Sequence, residues 1–241
     1  MNDFIWVDLS TFDPAKAHRF YGRVLGWSFD TDASGYSNAS TAGVAQPTAG
    51  LYPMPEFFRK IKMPSFWMSY IQVADIDAVV AKAGGLGARI ELQEDNALGR
   101  IALVRDPLGA GFTCIQNDAL NSGQGNAPGQ YAGSELVISD PGRANDFYSS
   151  LFNWSFKDQG HDQYTIHQHD GEVIASMQAA SNDVKGDKEY WAVYFVVKDL
   201  GQARQAIEAA DGAVIYAYDA FSGEVLIGVD DQGAAFYLSA G

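Results

Sequence analysis

The chain is poorest in cysteine, with one residue, Cys114, in 241. A lone thiol forms no internal disulfide, and no Cys or His stands beside it at metal-ligand spacing, so Cys114 reads as a small buried apolar residue. Basic residues are scarce as well: 16 Lys and Arg face 30 Asp and Glu, a formal net charge of −14. That balance argues against a nucleic-acid backbone or an anionic membrane as partner. No stretch has the apolar length that spans a bilayer, and the first residues lack the basic region and apolar run of a secretory signal, so the expected location is cytoplasmic. Phosphate-cradling glycine loops are missing too, because Gly84-Gly85-Leu86-Gly87 follows a predicted helix where a dinucleotide loop precedes one. Neither Ser nor Cys stands with a His and an acid at the spacing of a nucleophilic triad. Of the four histidines, His18 falls on the polar side of a helix and His161 in a Gly-Asp turn. His167 and His169, two apart on a predicted strand, share a face but want a third ligand.

What the chain does contain is a repeat. Phe12-Asp13-Pro14 through Trp27-Ser28-Phe29 returns as Ser139-Asp140-Pro141 through Trp154-Ser155-Phe156. Asp13 and Asp140, Tyr21 and Tyr148, and Trp27 and Trp154 all lie 127 positions apart, with no gap inside the block. The chain is therefore a duplication. In each copy an Asp at the N-cap and a Pro at the first helical position start a helix. Phe20, Tyr21, Val24 and Leu25, like Phe147, Tyr148, Leu151 and Phe152, recur at helical spacing and give that helix an aromatic stripe to lay on a sheet. Gly26 and Asn153 suit the left-handed residue that ends it.

Each half divides again. After the Pro-flanked stretch from Pro53 to Pro64, a strand at Phe66 to Val73 leads to Asp75, which caps a helix predicted to end at Gly84-Gly85, and strands follow at 88–92, 99–104 and 111–115. In the second half Trp191, Asp199 and Asp230 answer Trp67, Asp75 and Asp106 at an offset of 124. The segment from Asn117 to Gln130, rich in Gly, Asn and Ser, has the composition of a flexible linker. The expected fold is α+β: tandem βαβββ modules forming domain 1 over 1–117, a linker over 118–130 and domain 2 over 131–241.

These residues resemble the glyoxalase, bleomycin-resistance and extradiol-dioxygenase superfamily, the vicinal oxygen chelate proteins. The pattern behind the resemblance is the strand with its capping Asp, the Phe-Tyr helix, the Gly-Trp or Asn-Trp turn, and a closing Asp-Pro-x-Gly-x-x-Phe at Asp106 to Phe112. It covers nearly the whole chain outside the linker and looks closest to members with two such domains in one polypeptide. It implies curled mixed sheets forming cups with helices outside. In family enzymes four side chains of the cup hold a divalent metal, one from the first and one from the last strand of each module. Carried over residue by residue, the opening-strand positions fall on Trp6, Met68, Gly133 and Ala192, and two closing positions on Thr113 and Tyr237. None of these is an imidazole or a carboxylate, so the expectation is a cup without metal or other cofactor.

Strand alternation puts Trp6, Asp8, Met68, Tyr70, Gln72 and Thr113 inside the first cup, and Glu135, Val137, Tyr194 and Tyr237 inside the second. An aromatic and thioether surface with a few convergent polar groups fits a small organic molecule, aromatic or apolar. The same residues would equally serve as core filling a closed cup. Asp8 and Glu135 occupy corresponding positions, and an acid on a sheltered face is costly unless it is paired or does work. The two are the catalytic candidates, with a carboxylate tied to a neighbour as the plainer alternative. The functional expectation is a small-molecule binding protein, monomer or homodimer. The alternative is a lyase, isomerase, dioxygenase or hydroxylase-like enzyme whose metal site is shifted or absent.

Overall fold

The computed structural model describes residues 2–120, 123–220 and 223–241. In chain order the elements are β1 (Phe4–Thr11), α1 (Pro14–Leu25), β2 (Ser28–Thr31), β3 (Ser37–Ser40), β4 (Ala49–Pro53), α2 (Glu56–Lys60), β5 (Phe66–Gln72), α3 (Ile76–Gly85), β6 (Arg89–Asn96), β7 (Gly99–Arg105) and β8 (Gly111–Gln116). The second copy runs β9 (Tyr131–Ile138), α4 (Pro141–Phe152), β10 (Ser155–Gly160), β11 (Gln163–His167), β12 (Val173–Ala179), α5 (Asn182–Lys185), β13 (Tyr190–Val197), α6 (Leu200–Glu208), β14 (Ala213–Ala220), β15 (Gly223–Val229) and β16 (Ala235–Ala240). Four βαβββ modules result: β1–β4, β5–β8, β9–β12 and β13–β16. The strands order as β2-β3-β4-β1-β5-β8-β7-β6 in one sheet and β10-β11-β12-β9-β13-β16-β15-β14 in the other.

The helix starts follow the caps. Asp13, Asp75, Asp140 and Asp199 each accept a hydrogen bond from the backbone N–H three residues on, which satisfies one of the open donors of the first turn. Gly26 and Asn153 both take left-handed backbone, with φ of 72° and 60°, and end α1 and α4. Helix α3 runs past its expected stop, because Gly84 and Gly85 stay helical and the left-handed residue is Gly87. Within the Pro-flanked stretch after β4 a single turn of helix, α2, forms over Glu56–Lys60.

By contacts the chain falls into two compact units. One comprises residues 1–5, 69–120 and 133–192, the other 6–68, 121–132 and 193–241. The first unit therefore joins the second and third modules, and the second unit joins the first and fourth. The sequence leaves the choice of partner open, and a pair of hydrogen-bond relays makes it. In the first unit Trp191 Nε1 donates to Tyr148 Oη at 2.9 Å, and Tyr148 donates to Asp106 Oδ2 at 3.0 Å. In the second, Trp67 Nε1 donates to Tyr21 Oη at 3.0 Å, and Tyr21 donates to Asp230 Oδ2 at 3.0 Å. The other oxygen of each carboxylate collects backbone N–H groups of its own turn: Leu108, Gly109 and Ala110 on Asp106, Gln232 and Ala234 on Asp230. One Asp thus shapes a turn and fastens it to the helix of another module.

Burial raises the pKa of both carboxyls and lifts both phenols well above the usual tyrosine range. Around the relays pack two apolar cores, one per unit. Phe112, Phe147, Phe152 and Trp154 surround Tyr148; Phe20, Trp27, Phe195 and Phe236 lie in the core around Tyr21. Each large ring taken fully from water contributes about 2–3 kcal/mol. Cys114 lies in the first core, fully buried, with its thiol pKa pushed up by desolvation.

Two expectations need correction. The described part of the connecting segment is not a loose tether. Gly123 N donates to Pro47 O, Gly129 N to Val196 O, Trp27 Nε1 to Gly129 O and Thr41 Oγ1 to Pro128 O. A Cβ on Gly129 would meet Thr41 Oγ1 at 2.5 Å and Leu25 O at 2.8 Å, so this glycine serves close packing. The histidine pair is also separated. β11 ends at His167, whose ring bonds Thr165 Oγ1 and Gly171 O, while His169 lies beyond the strand and is exposed.

Candidate ligand-binding faces

In every module the strands turn one set of side chains to the helices and the alternate set to the other, inner, face. In β1, Val7 and Leu9 enter the helix-side core, so Trp6, Asp8 and Ser10 take the inner face. Ile71, Cys114 and Phe112 do the same for β5 and β8, which leaves Tyr70, Gln72 and Thr113 inward. Leu136 and Ile138 leave Glu135 and Val137 inward; Val193, Phe195, Phe236 and Leu238 leave Tyr194 and Tyr237.

The first module, within the second unit, has the most developed inner face. Trp6 and Asp8 are each 1% exposed. Trp6 Nε1 donates to Tyr36 Oη at 3.0 Å. An indole N–H can only donate, so the phenol is the acceptor there and its own proton is free for Asp8, to which it is hydrogen-bonded. Burial, and next the charge of Asp8, hold the Tyr36 pKa far above the usual phenol value, so the hydroxyl keeps its proton throughout the physiological range. Space for it comes from Gly50, which pairs with Asp8 across β1 and β4: a Cβ there would stand 1.8 Å from Tyr36 Oη and 3.0 Å from Asp8 Cβ. Tyr52, two residues on, stacks parallel to Tyr36 with ring centroids 6.3 Å apart. Ser10, fully buried and in register with Tyr52, has a hydroxyl with no hydrogen-bond partner among the described residues. Met68, in the same unit, is half-buried.

The other inner faces are simpler. In the first unit Tyr70 and Thr113 are register partners, both buried, and Gln72 Nε2 reaches Asp118 Oδ1 at 3.3 Å. In the third module, Ser176 Oγ donates to Glu135 Oε2 at 2.7 Å, and the two are register partners. In the fourth, Tyr194 and Tyr237 are register partners with rings 5.1 Å apart, and Tyr194 Oη lies 3.0 Å from Tyr218 Oη. Tyr36, Tyr52 and Gly50 escape sequence reasoning because β3 and β4 are short and their apolar pattern is broken by Gly50. The available signal is the glycine itself, at a strand position where only a close approach calls for one.

These donors do not suit a divalent metal of the kind held by imidazoles and carboxylates. Among the described residues no three His, Cys, Asp or Glu side chains come together. In the first module the space beside Asp8 is filled by a phenol that an indole holds in place.

On the helix side, His18 stacks on Phe29 at 4.1 Å and bonds Ser37 Oγ at 3.0 Å, so it is half-buried and belongs to helix packing. Burial lowers its pKa.

Comparison with known proteins agrees with this architecture. A family model described as "Glyoxalase-like domain" matches residues 5–115. The protein named "Putative glyoxylase CFP32", in Mycobacterium bovis and in Mycobacterium tuberculosis, is 31% identical over 222 residues, which cover 87% of this chain and 83% of the relative. Among solved structures, the Mn(II)-bound glyoxalase from Novosphingobium aromaticivorans superposes with a TM-score of 0.66 at 12% identity, over 100% of this chain and 83% of that one. The 2,3-dioxygenase LapB from Pseudomonas sp. KL28 gives 0.65 at 10% identity, over 99% and 92%. At such identities the structural likeness is one of fold.

Proposed function

Since the chain belongs to the glyoxalase-like family of the vicinal oxygen chelate superfamily, we propose that it binds a small aromatic or apolar organic molecule on its inner faces, without a protein-held metal. The observation that carries this reading is the Trp6–Tyr36–Asp8 network. The resemblance sets Trp6, an indole, at a metal-ligand position of the family enzymes, and the neighbouring volume over Gly50 holds a neutral phenol. Tyr36 and Tyr52, both partly exposed, offer ring surface for stacking and Met68 a deformable thioether, while the buried Trp6 and Asp8 hold the Tyr36 ring and hydroxyl in position for a ligand. Tyr70, Gln72, Thr113, Tyr194 and Tyr237 are the corresponding candidates on the other faces. The ligand is met by stacking and hydrogen bonding, not by coordination.

An enzymatic reading, a lyase, isomerase, dioxygenase or hydroxylase-like activity, draws its support from the buried carboxylates. Asp8 and Glu135 are sheltered carboxylates, each beside a hydroxyl that keeps its proton, which is the placement of a general base. Calorimetric titration of wild type, Asp8→Asn and Tyr36→Phe with a panel of aromatic small molecules tests the binding reading. A ligand of this face loses about tenfold in affinity, ~1.4 kcal/mol, in either variant. Ligands that bind all three proteins equally refute the assignment of the face. Turnover of any such compound, abolished by Asp8→Asn, would favour the enzyme.

A further inference from the structure

The two copies of the duplication end their sheets differently. β6 and β14 are the outermost strands at corresponding ends, 124 positions apart, and both carry a bulge at the same place, between Ile90 and Leu92 and between Val214 and Tyr216. β6 reads Arg-Ile-Glu-Leu-Gln-Glu-Asp-Asn, and its bulge residue Glu91 is held by Arg89 and Arg105. β14 reads Ala-Val-Ile-Tyr-Ala-Tyr-Asp-Ala, with Ile215 at the bulge and Val229 where the first copy has Arg105. Ile215 is 58% exposed and Tyr216 59%.

An outer strand presents a row of open backbone N–H and C=O groups, and proteins blunt such edges with charges, prolines, bulges or short length. β6 uses charge as well as its bulge. β14 keeps only the bulge: it has eight residues, no proline and one charge, Asp219. In a chain of net charge −14, two copies repel each other except where charge is missing, and residues 212–218 carry none.

We propose that β14 is an interaction surface for a second copy of this chain. The copies pair their β14 strands antiparallel through the straight stretch after the bulge, residues 216–220, and cover Ile215 and Tyr216. Antiparallel pairing of a strand with itself is two-fold and self-complementary, so the assembly closes at two chains. The opposite end of the same sheet is β10, whose Lys157 and Asp158 are both exposed, and it does not extend the assembly. This proposal is independent of the ligand assigned to the inner faces. It uses the exposed side chains of the edge and none of the residues placed at a binding face.

Sedimentation of the full chain over a wide concentration range tests it. The expected result is a reversible rise from the 26.1 kDa of one chain to twice that mass. Charging this edge, with Ile215→Glu to copy Glu91 of β6 and Tyr216→Lys beside it, abolishes the rise. The control Phe57→Glu with Ile61→Glu alters another exposed apolar pair, on and just after α2, and leaves it intact. Because both β14 positions are more than half exposed, the double variant keeps the wild-type circular dichroism and, at concentrations where the wild type is a single chain, its melting temperature. Amide exchange on the wild type gives a readout that needs no variant: protection over 216–220 grows with protein concentration. A single-chain mass at every concentration, open-ended assembly, a dimer that survives the β14 double variant, or one that the Phe57 and Ile61 pair abolishes would each overturn the proposal.

Discussion

Set side by side, the two copies agree on their helix side and disagree on their inner side. Tyr21 with Trp67 and Asp230, and Tyr148 with Trp191 and Asp106, repeat the same relay to within 0.1 Å. At the paired positions Asp8 and Glu135 the surroundings have diverged. A Tyr36 phenol braced by Trp6 lies over Gly50 in one, and the hydroxyl of Ser176 meets the carboxylate in the other. Architecture depends on the relays, so both copies keep them. The inner faces carry no such duty, and their chemistry has separated.

The largest expected effect lies in the shared part. Tyr148→Phe leaves a buried indole N–H without its acceptor and a buried carboxylate without its side-chain donor, which costs about 2–5 kcal/mol. Tyr21→Phe costs the same within about 1 kcal/mol if the copies are equivalent in energy as they are in geometry. Denaturant unfolding of the two variants checks both figures. A large inequality would break the symmetry claimed here.

The loss also depends on pH. Asp106 titrates in the native state above its ordinary carboxyl value, and without the phenol, which lowers it, it rises further. A raised carboxyl pKa means that the folded state holds its proton more tightly. Because Tyr148 favours the charged carboxyl, the penalty is full at neutral pH, shrinks as pH falls through the native Asp106 values of the variant and then of the wild type, and is constant below the latter. Stability of Tyr148→Phe measured from pH 7 to pH 4 reads the trend directly. A penalty that grew toward acid would mean that Tyr148 favours the protonated Asp106 over the charged one.

Next in size come the inner faces. Gly50→Ala places a methyl group where Tyr36 Oη stands and must expel the ring, at about 1–3 kcal/mol. Ser176→Ala, its counterpart, removes one hydrogen bond to Glu135 and costs about 1 kcal/mol. Similar costs for the two would blur the distinction between the faces. Smallest is Glu91→Gln on the outer strand of the first copy. Arg105 chiefly, then Arg89, hold the Glu91 carboxyl below its ordinary value despite partial burial. The stability it adds is present above the unfolded value and fades as pH falls through the lowered native one. Discounted for solvent screening, the change is about 0.5 kcal/mol at neutral pH.

Much of the fold is legible in the residues because it rests on local rules. The capping Asp, the Pro at the first helical position and the left-handed Gly26 and Asn153 act within a few residues of themselves. Module pairing is not local: Tyr21 finds Asp230 across 209 positions, and nothing in either segment names the other. Gly129 and its neighbours read as a flexible tether because composition does not distinguish a glycine that loosens a chain from one that makes room. Of the inner face, strand alternation supplies Trp6 and Asp8. Their companions Tyr36 and Gly50 emerge only when β3 and β4 are laid beside β1.

If Trp6 stands where enzymes of this fold family carry a metal ligand, with the Tyr36 phenol beside it, the chain holds no divalent ion of its own. Calorimetric titration of the purified chain with Mn(II), Zn(II) and Ni(II), with elemental analysis of protein prepared without chelator, tests it most directly. The prediction is no stoichiometric uptake and no bound divalent ion. One tightly held ion per chain, lost in Asp8→Asn, would contradict it.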